Sequence, residues 1–258
     1  MTDRVTLSFS DQGVATVVLS HPPLNIYDLA MRDALIESIT AVRDNPDARS
    51  LLIRAEGSNF SAGADLNRFN HDDKAQSFEF SLAFGEAFEA LTNYQGVSIA
   101  AITGFAMGGG LEVALSCDVR ICEEQAQMAL PEASVGLLPC GLGSQQLSWL
   151  IGEAWAKRMM LLGERIKAPQ AERIGLVSEV VDTGTVLEKA LELATKMTRW
   201  SPVALRLAKD AIRVAFETPL AEGLEYEKGR FMDAFKSEDG REGVLAFVEK
   251  RKPEFKGR

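Results

Sequence analysis

Apolar and polar residues alternate along Val5–Phe9 and again along Val14–Ser20, and Asp11-Gln12-Gly13 stands between the two runs. A period of two on either side of a glycine-containing polar turn predicts a β-hairpin. The period then changes. Leu35, Ile39 and Val42 stand at i, i+4 and i+7, which predicts a helix over 28–43 that stops at Asn45-Pro46-Asp47. Ser50–Ile53 and Val97–Ile102 are short apolar runs of the kind that become strands covered on both faces. Between them Phe80, Phe84, Phe88 and Leu91 fall on one stripe of a helix, facing a core. Strand, loop and helix keep alternating through Cys117–Cys122, Gln127–Leu130 and Val177–Val181. From about Thr185 onward the pattern is helical only, interrupted at Trp200-Ser201-Pro202, near Thr218-Pro219 and around Ser237–Gly240. The expectation is an α/β core over 1–200, with strand-to-helix turns as its working edge, and a helical part over 201–258.

Composition narrows the function classes. The 258 residues suffice for a full core, and 46% hydrophobic with 25% charged residues is ordinary for a globular chain. The longest apolar stretches fall far short of the roughly 18 residues of a membrane span. Met1-Thr2-Asp3-Arg4 leads straight into the first alternating run, without the basic start and apolar stretch of a secretory signal. The cysteines are three, Cys117, Cys122 and Cys140. An odd number in a long chain fits a reducing cytosol, so a cytoplasmic location is expected, with Cys117 and Cys122 as small buried hydrophobes. A net charge of −9 argues against a nucleic-acid partner. The visible basic concentration is Lys250, Arg251, Lys252, Lys256 and Arg258, which charge alone reads as a solvated tail.

Two segments carry candidate chemistry, Asn59-Phe60-Ser61-Ala62-Gly63-Ala64-Asp65 and Gly104-Phe105-Ala106-Met107-Gly108-Gly109-Gly110-Leu111-Glu112. Each follows a strand-like run and is built of small residues, so backbone N–H groups can face a ligand. Two such loops can aim two N–H groups at one oxygen, as an oxyanion hole does. Neither Gly108/Gly110 nor Gly141/Gly143 completes a dinucleotide fingerprint, and no phosphate loop or Gly-x-Ser-x-Gly elbow is present. His21 in its proline turn and His71 in a polar run read as surface residues without metal-ligand spacing. Acid–base work falls to carboxylates. Glu112 and Glu132 both stand among apolar neighbours after strand-like segments, where burial raises a carboxyl pKa and a second carboxylate raises it further. One can then donate a proton while the other accepts one.

Taken in order, Phe60–Asp65, Gly104–Glu112, Cys117-Asp118, Pro131-Glu132, Gly175-Leu176-Val177 and Ala246–Pro253 resemble the crotonase superfamily, the enoyl-CoA hydratase/isomerase family, over essentially the whole chain. The resemblance implies a crotonase-like spiral of ββα turns with a C-terminal helical part used for trimerisation, and commonly a dimer of trimers. It implies acyl-coenzyme A thioesters as ligands, with no metal and no redox cofactor. Carried over by position, the N–H groups of Ala62 and Gly109 match the family's oxyanion hole. Ala62, Gly63, Ala64 and Asp65 would line the coenzyme A and thioester passage. Phe247 and Lys250 match positions that reach the nucleotide end of coenzyme A, often from a neighbouring subunit, which gives the basic tail a phosphate to meet.

Relatives with both glutamates, here Glu112 and Glu132, are typically hydratases that hold one water over the double bond. The leading expectation is therefore a 2-enoyl-CoA hydratase, with Glu112 taking a proton from water and Glu132 giving one to the α-carbon. The alternatives are an enoyl-CoA isomerase, which needs one glutamate, and another crotonase-type acyl-CoA lyase. A non-catalytic acyl-CoA-binding or RNA-binding relative would lose a glutamate or carry a basic face, and this chain shows neither. His21-Pro22-Pro23-Leu24-Asn25 is shorter than the commoner family form, and Gln146 stands where many relatives have arginine. Both departures weaken the case for a straight-chain fatty acyl substrate.

Overall fold

The computed structural model describes residues 4–69 and 74–258, without the side chains of 68–81 and 83. Strands β1 (Val5–Phe9) and β2 (Val14–Leu19) form the expected antiparallel hairpin. Then come α1 (Leu29–Asp44), β3 (Ser50–Ala55), α2 (Lys74–Thr92), β4 (Val97–Ile102), β5 (Phe105–Met107), α3 (Gly109–Leu115), β6 (Val119–Glu123) and β7 (Gln127–Ala129). The chain continues through α4 (Gly143–Leu161), β8 (Ile166–Lys167), α5 (Ala168–Arg173), β9 (Glu179–Val181), α6 (Val186–Met197), α7 (Pro202–Glu217), α8 (Leu220–Lys236) and α9 (Glu238–Glu249).

Six strands form one sheet in the order β1-β2-β3-β4-β6-β9, parallel everywhere except at the hairpin edge. Its inner strands are buried on both faces, which is why β3 and β4 read as continuous apolar runs rather than alternating ones. Successive residues of β3 serve different layers. Leu51 and Ile53 pack towards α1, α2 and α3, while Leu52 joins Val14, Ile99, Ile121 and the α6 residues Val186, Ala190 and Ala194. A second sheet, β5-β7-β8, stands beside the first.

Local chemistry sets the ends of the helices. The Asp28 carboxylate accepts from the Met31 N–H at 2.8 Å and caps α1. Ser201 caps α7 by accepting from Ala204 N–H at 3.1 Å, with Pro202 in the first turn where its missing N–H costs nothing. Lys209 on α7 pairs with Asp118 at 2.8 Å and donates to the Tyr94 carbonyl at 2.7 Å, which ties this helix to the sheet.

The structure differs from the sequence reading in short pieces. Gly104–Gly110 is not one loop, because β5 runs through it, and β8 was not foreseen; three and two residues are too few to show a period. The strand near Cys117–Cys122 begins only at Val119. Cys117 and Cys122 are buried, as expected. Phe84, Phe88 and Leu91 form the buried stripe of α2, whereas the Phe80 side chain and His71 lie outside the described residues.

Candidate active site

Two glycine-containing loops meet edge to edge. Ser61 N–H donates to Phe105 O at 2.9 Å, and Met107 N–H returns the bond to Ser61 O at 2.9 Å. Behind them the buried Asn25 side chain donates to Glu56 O and Asn59 O, at 2.8 and 2.7 Å, and fixes the first loop. The loops are so close that Gly63, at φ +97°, has room for no side chain: an added Cβ would stand 2.8 Å from Met107 O.

The direction of each N–H decides what the first loop can bind. Ala62 N–H donates to Leu24 O at 2.9 Å, so it is engaged inside the protein. The assignment of Ala62 to the oxyanion pair is therefore corrected. Its neighbour Ala64 is placed otherwise. Tyr27 N–H donates to Gly63 O at 2.9 Å and Asp65 N–H to Tyr27 O at 3.2 Å, bracketing Ala64 in a parallel bridge. Such pairing turns the Ala64 N–H away from Tyr27, and it has no protein acceptor among the described residues. Gly109, the first residue of α3, also keeps an N–H without a protein acceptor among them. A Cβ built on Gly109 would lie 3.9 Å from Ala64 N, so the two N–H groups are neighbours. Two bare, adjacent donors suit one oxygen that gains negative charge.

Glu112 lies one turn into α3 and is 2% exposed. Its Oε1 accepts from Gly141 N–H at 2.8 Å and Gly143 N–H at 2.9 Å. Burial pushes its pKa up, and the two N–H bonds oppose that push. An added Cβ at Gly141 would overlap the Phe88 ring, so only glycine brings this loop close enough to hold the carboxylate. Glu132 comes from the turn after β7 and is half-buried. Its Oε1 stands 3.2 Å from the place of a Cβ on Gly108, the residue before α3, and its Oε2 is buried without a partner among the described residues. Burial, with a further contribution from the Glu112 charge, raises Glu132 to about 7. Cys140, next to Gly141, is pushed up to about 11 by burial and then by both glutamates, so a neutral thiol stands beside the pair.

The structure thus brings together Ala64, Gly109, Glu112 and Glu132, with Gly63 and Asp65 on the same loop. It does not bring Phe247 and Lys250 to them within one chain. Phe247 is 86% exposed on α9, a helix packed on α7 and α8, and Lys250 ends that helix at φ +57°. The sequence reading missed Gly141 and Gly143 as holders of Glu112, although their spacing beside Leu142 was a visible sign of a close-approach loop. A separate cavity of about 810 Å³ lies between α4 and α7, lined by Tyr94, Asp118, Gln146, Trp149, Lys209 and Phe216; neither glutamate lines it. Among the described residues no helix is long and apolar enough to cross a membrane, and no cluster of three or more His, Cys, Asp or Glu could hold a metal ion.

Comparison with known proteins now adds to the geometry. The family model for enoyl-CoA hydratase/isomerase matches residues 10–258. The chain belongs to this family, the crotonase superfamily. A probable enoyl-CoA hydratase of Mycobacterium bovis is 38% identical over 99% of both chains. The solved structure of DspI from Pseudomonas aeruginosa is 50% identical, with a TM-score of 0.94 over 98% of this chain and 97% of that one. An enoyl-CoA hydratase structure from Bacillus anthracis is 33% identical, with the same TM-score over 99% and 100%. The crotonase fold expected from the sequence is therefore the fold observed, and members of this family act on acyl-CoA thioesters.

Proposed function

We propose that this protein is a 2-enoyl-CoA hydratase, which adds water across the α,β double bond of an acyl-CoA thioester. The observation that carries the reading is the pair of unlike carboxyl groups beside two bare N–H groups. Glu112 is held at Oε1 by two N–H bonds, which leaves Oε2 for a water, while Glu132 is raised to about 7 and keeps an oxygen with no partner among the described residues. Ionised Glu112 takes a proton from water as its oxygen bonds to the β-carbon. The electron pair of the double bond moves towards the thioester oxygen, where Ala64 and Gly109 N–H groups receive the charge. The enolate then takes the Glu132 proton at the α-carbon. Glu112 ends protonated and Glu132 ionised, and exchange with solvent restores both. The reaction needs no metal or redox cofactor, and coenzyme A is part of the substrate.

The reading extends to the assembly. Phe247 and Lys250 would meet the nucleotide end of coenzyme A on a neighbouring subunit of a trimer or a dimer of trimers. The open apolar surface of α8 and α9 supports this.

One observation favours a second reading. Glu132 alone, less buried than Glu112 and raised to about 7, could shuttle a single proton and move a 3-enoyl double bond. A panel of straight, branched and ring-bearing enoyl-CoA thioesters separates the two. Hydration of a 2-enoyl-CoA is expected; isomerisation of 3-enoyl-CoA with no hydration anywhere in the panel would reject the hydratase.

A further inference from the structure

Tyr27 is 0% exposed, yet its hydroxyl has no hydrogen-bond partner among the described residues. Buried polar groups are nearly always paired, and a bare one disfavours its state by about five- to a hundredfold. A bare group beside a reaction site marks a place for a ligand atom.

The position of this tyrosine gives the ligand its identity. The Tyr27 backbone brackets Ala64, one of the two bare donors. Its ring tilts against Phe84 and Phe88 of α2, with centroids 4.8 and 5.3 Å away. Phe88 in turn places its ring end 3.9 Å from a Cβ built on Gly109, and fills the room beside Gly141, where Glu112 is held. The buried aromatic cluster thus lies beside the N–H pair and beside the loop that holds Glu112. The Tyr27 hydroxyl is the one side-chain polar atom of these three rings. Burial, against the opposing charge of Arg32, holds this phenol far above its ordinary range, so it remains a neutral donor.

Resting on the hydratase reading, we propose that Tyr27 is a specificity-determining residue whose hydroxyl pairs with a hydroxyl or keto oxygen carried by the acyl chain of the substrate. A site built to bond an oxygen discriminates against the analogue lacking it, since its own polar group is then left unpaired.

The test compares 2-hexenoyl-CoA with the same thioester bearing a hydroxyl on one of its last three carbons. In the wild type, kcat/KM favours the hydroxylated member of at least one such pair. Tyr27→Phe, which keeps the ring, reduces that preference by about tenfold. A merely structural role lowers both thioesters together and leaves their ratio unchanged. Equal ratios in wild type and variant overturn the proposal, and so does a wild type without the preference. If neither thioester is hydrated, calorimetric binding of the saturated pair, hydroxyhexanoyl-CoA and hexanoyl-CoA, reads the same ratio. The hydratase reading then fails separately, while Tyr27 is still tested.

Discussion

The α/β core and the helical tail are incomplete in opposite ways. In the core the apolar residues of β2, β3, β4 and β6 are covered on both sides of the sheet, and several of its polar groups are left without partners among the described residues. Three of them, Ala64 N–H, Gly109 N–H and Glu132 Oε2, stand together at the candidate active site. In the tail the reverse holds. The buried Asp239 is fully engaged, accepting from Ser201 Oγ at 2.8 Å and Lys256 N–H at 2.7 Å, and Arg230 Nε is the buried side-chain atom left bare there among the described residues. Val203, Leu207 and Ala246 are buried, but α8 has no buried residue, with Leu220 78% exposed and Leu224, Phe231 and Phe235 also open. Bare polar groups inside a core indicate a ligand; an uncovered apolar helix face indicates another protein surface.

The strongest way to break this contrast is at the carboxylates. Glu112→Gln and Glu132→Gln keep size and polarity but cannot exchange a proton. Each should lower hydration of a 2-enoyl-CoA by about 10²–10⁴. The double variant should lose little more than the worse single one, because the groups act as a unit. Additive losses in steady-state kcat/KM would mean that the two act independently.

Next in size is the donor pair. Gly109→Pro removes one N–H at the first position of α3, where a helix tolerates proline, and its added Cβ meets only ordinary contacts at 3.9 Å. Turnover should fall by about 10²–10³. Gly109→Ala, which keeps the N–H, should lose far less. Similar rates for the two variants would remove Gly109 from the site.

In the tail, Leu224→Asp combined with Phe231→Asp puts charges on the open face of α8. An unpaired charge buried in an interface costs several kcal/mol, so light scattering at micromolar concentration should show the assembly falling to monomers. A wild type that is already monomeric would deny the tail a partner.

The smallest effect concerns stability. The Glu132 pKa rises from 4.5 to about 7 on folding, so the folded chain favours its protonated form. The stability it contributes is full below about pH 4.5 and is lost as pH rises through about 7. Glu132→Gln should therefore match wild type in denaturant midpoint near pH 4 and exceed it near pH 8. Equal midpoints at both pH values would place the carboxyl in open water.

How far the sequence disclosed this molecule depended on the range of the forces involved. Periodicity marked the long strands and helices because burial repeats along them, but β5 and β8 are held by partners distant in sequence and carry no period of their own. Glu112 and Glu132 were legible because a carboxylate among apolar residues is conspicuous. The donor of the first loop was not. Whether Ala62 or Ala64 offers its N–H depends on Leu24 and Tyr27, which take up one backbone face of the loop, and no residue type records that.

The central claim is that the bare polar groups of the core hold a water and an enoyl thioester together. Incubation of wild type with 2-enoyl-CoA thioesters in ¹⁸O-labelled water tests it directly. The account predicts ¹⁸O at the β-hydroxyl of the 3-hydroxyacyl-CoA product, read by mass spectrometry and suppressed in both Glu→Gln variants. Unlabelled thioesters throughout the panel, with only the double bond of a 3-enoyl-CoA moved, would contradict it.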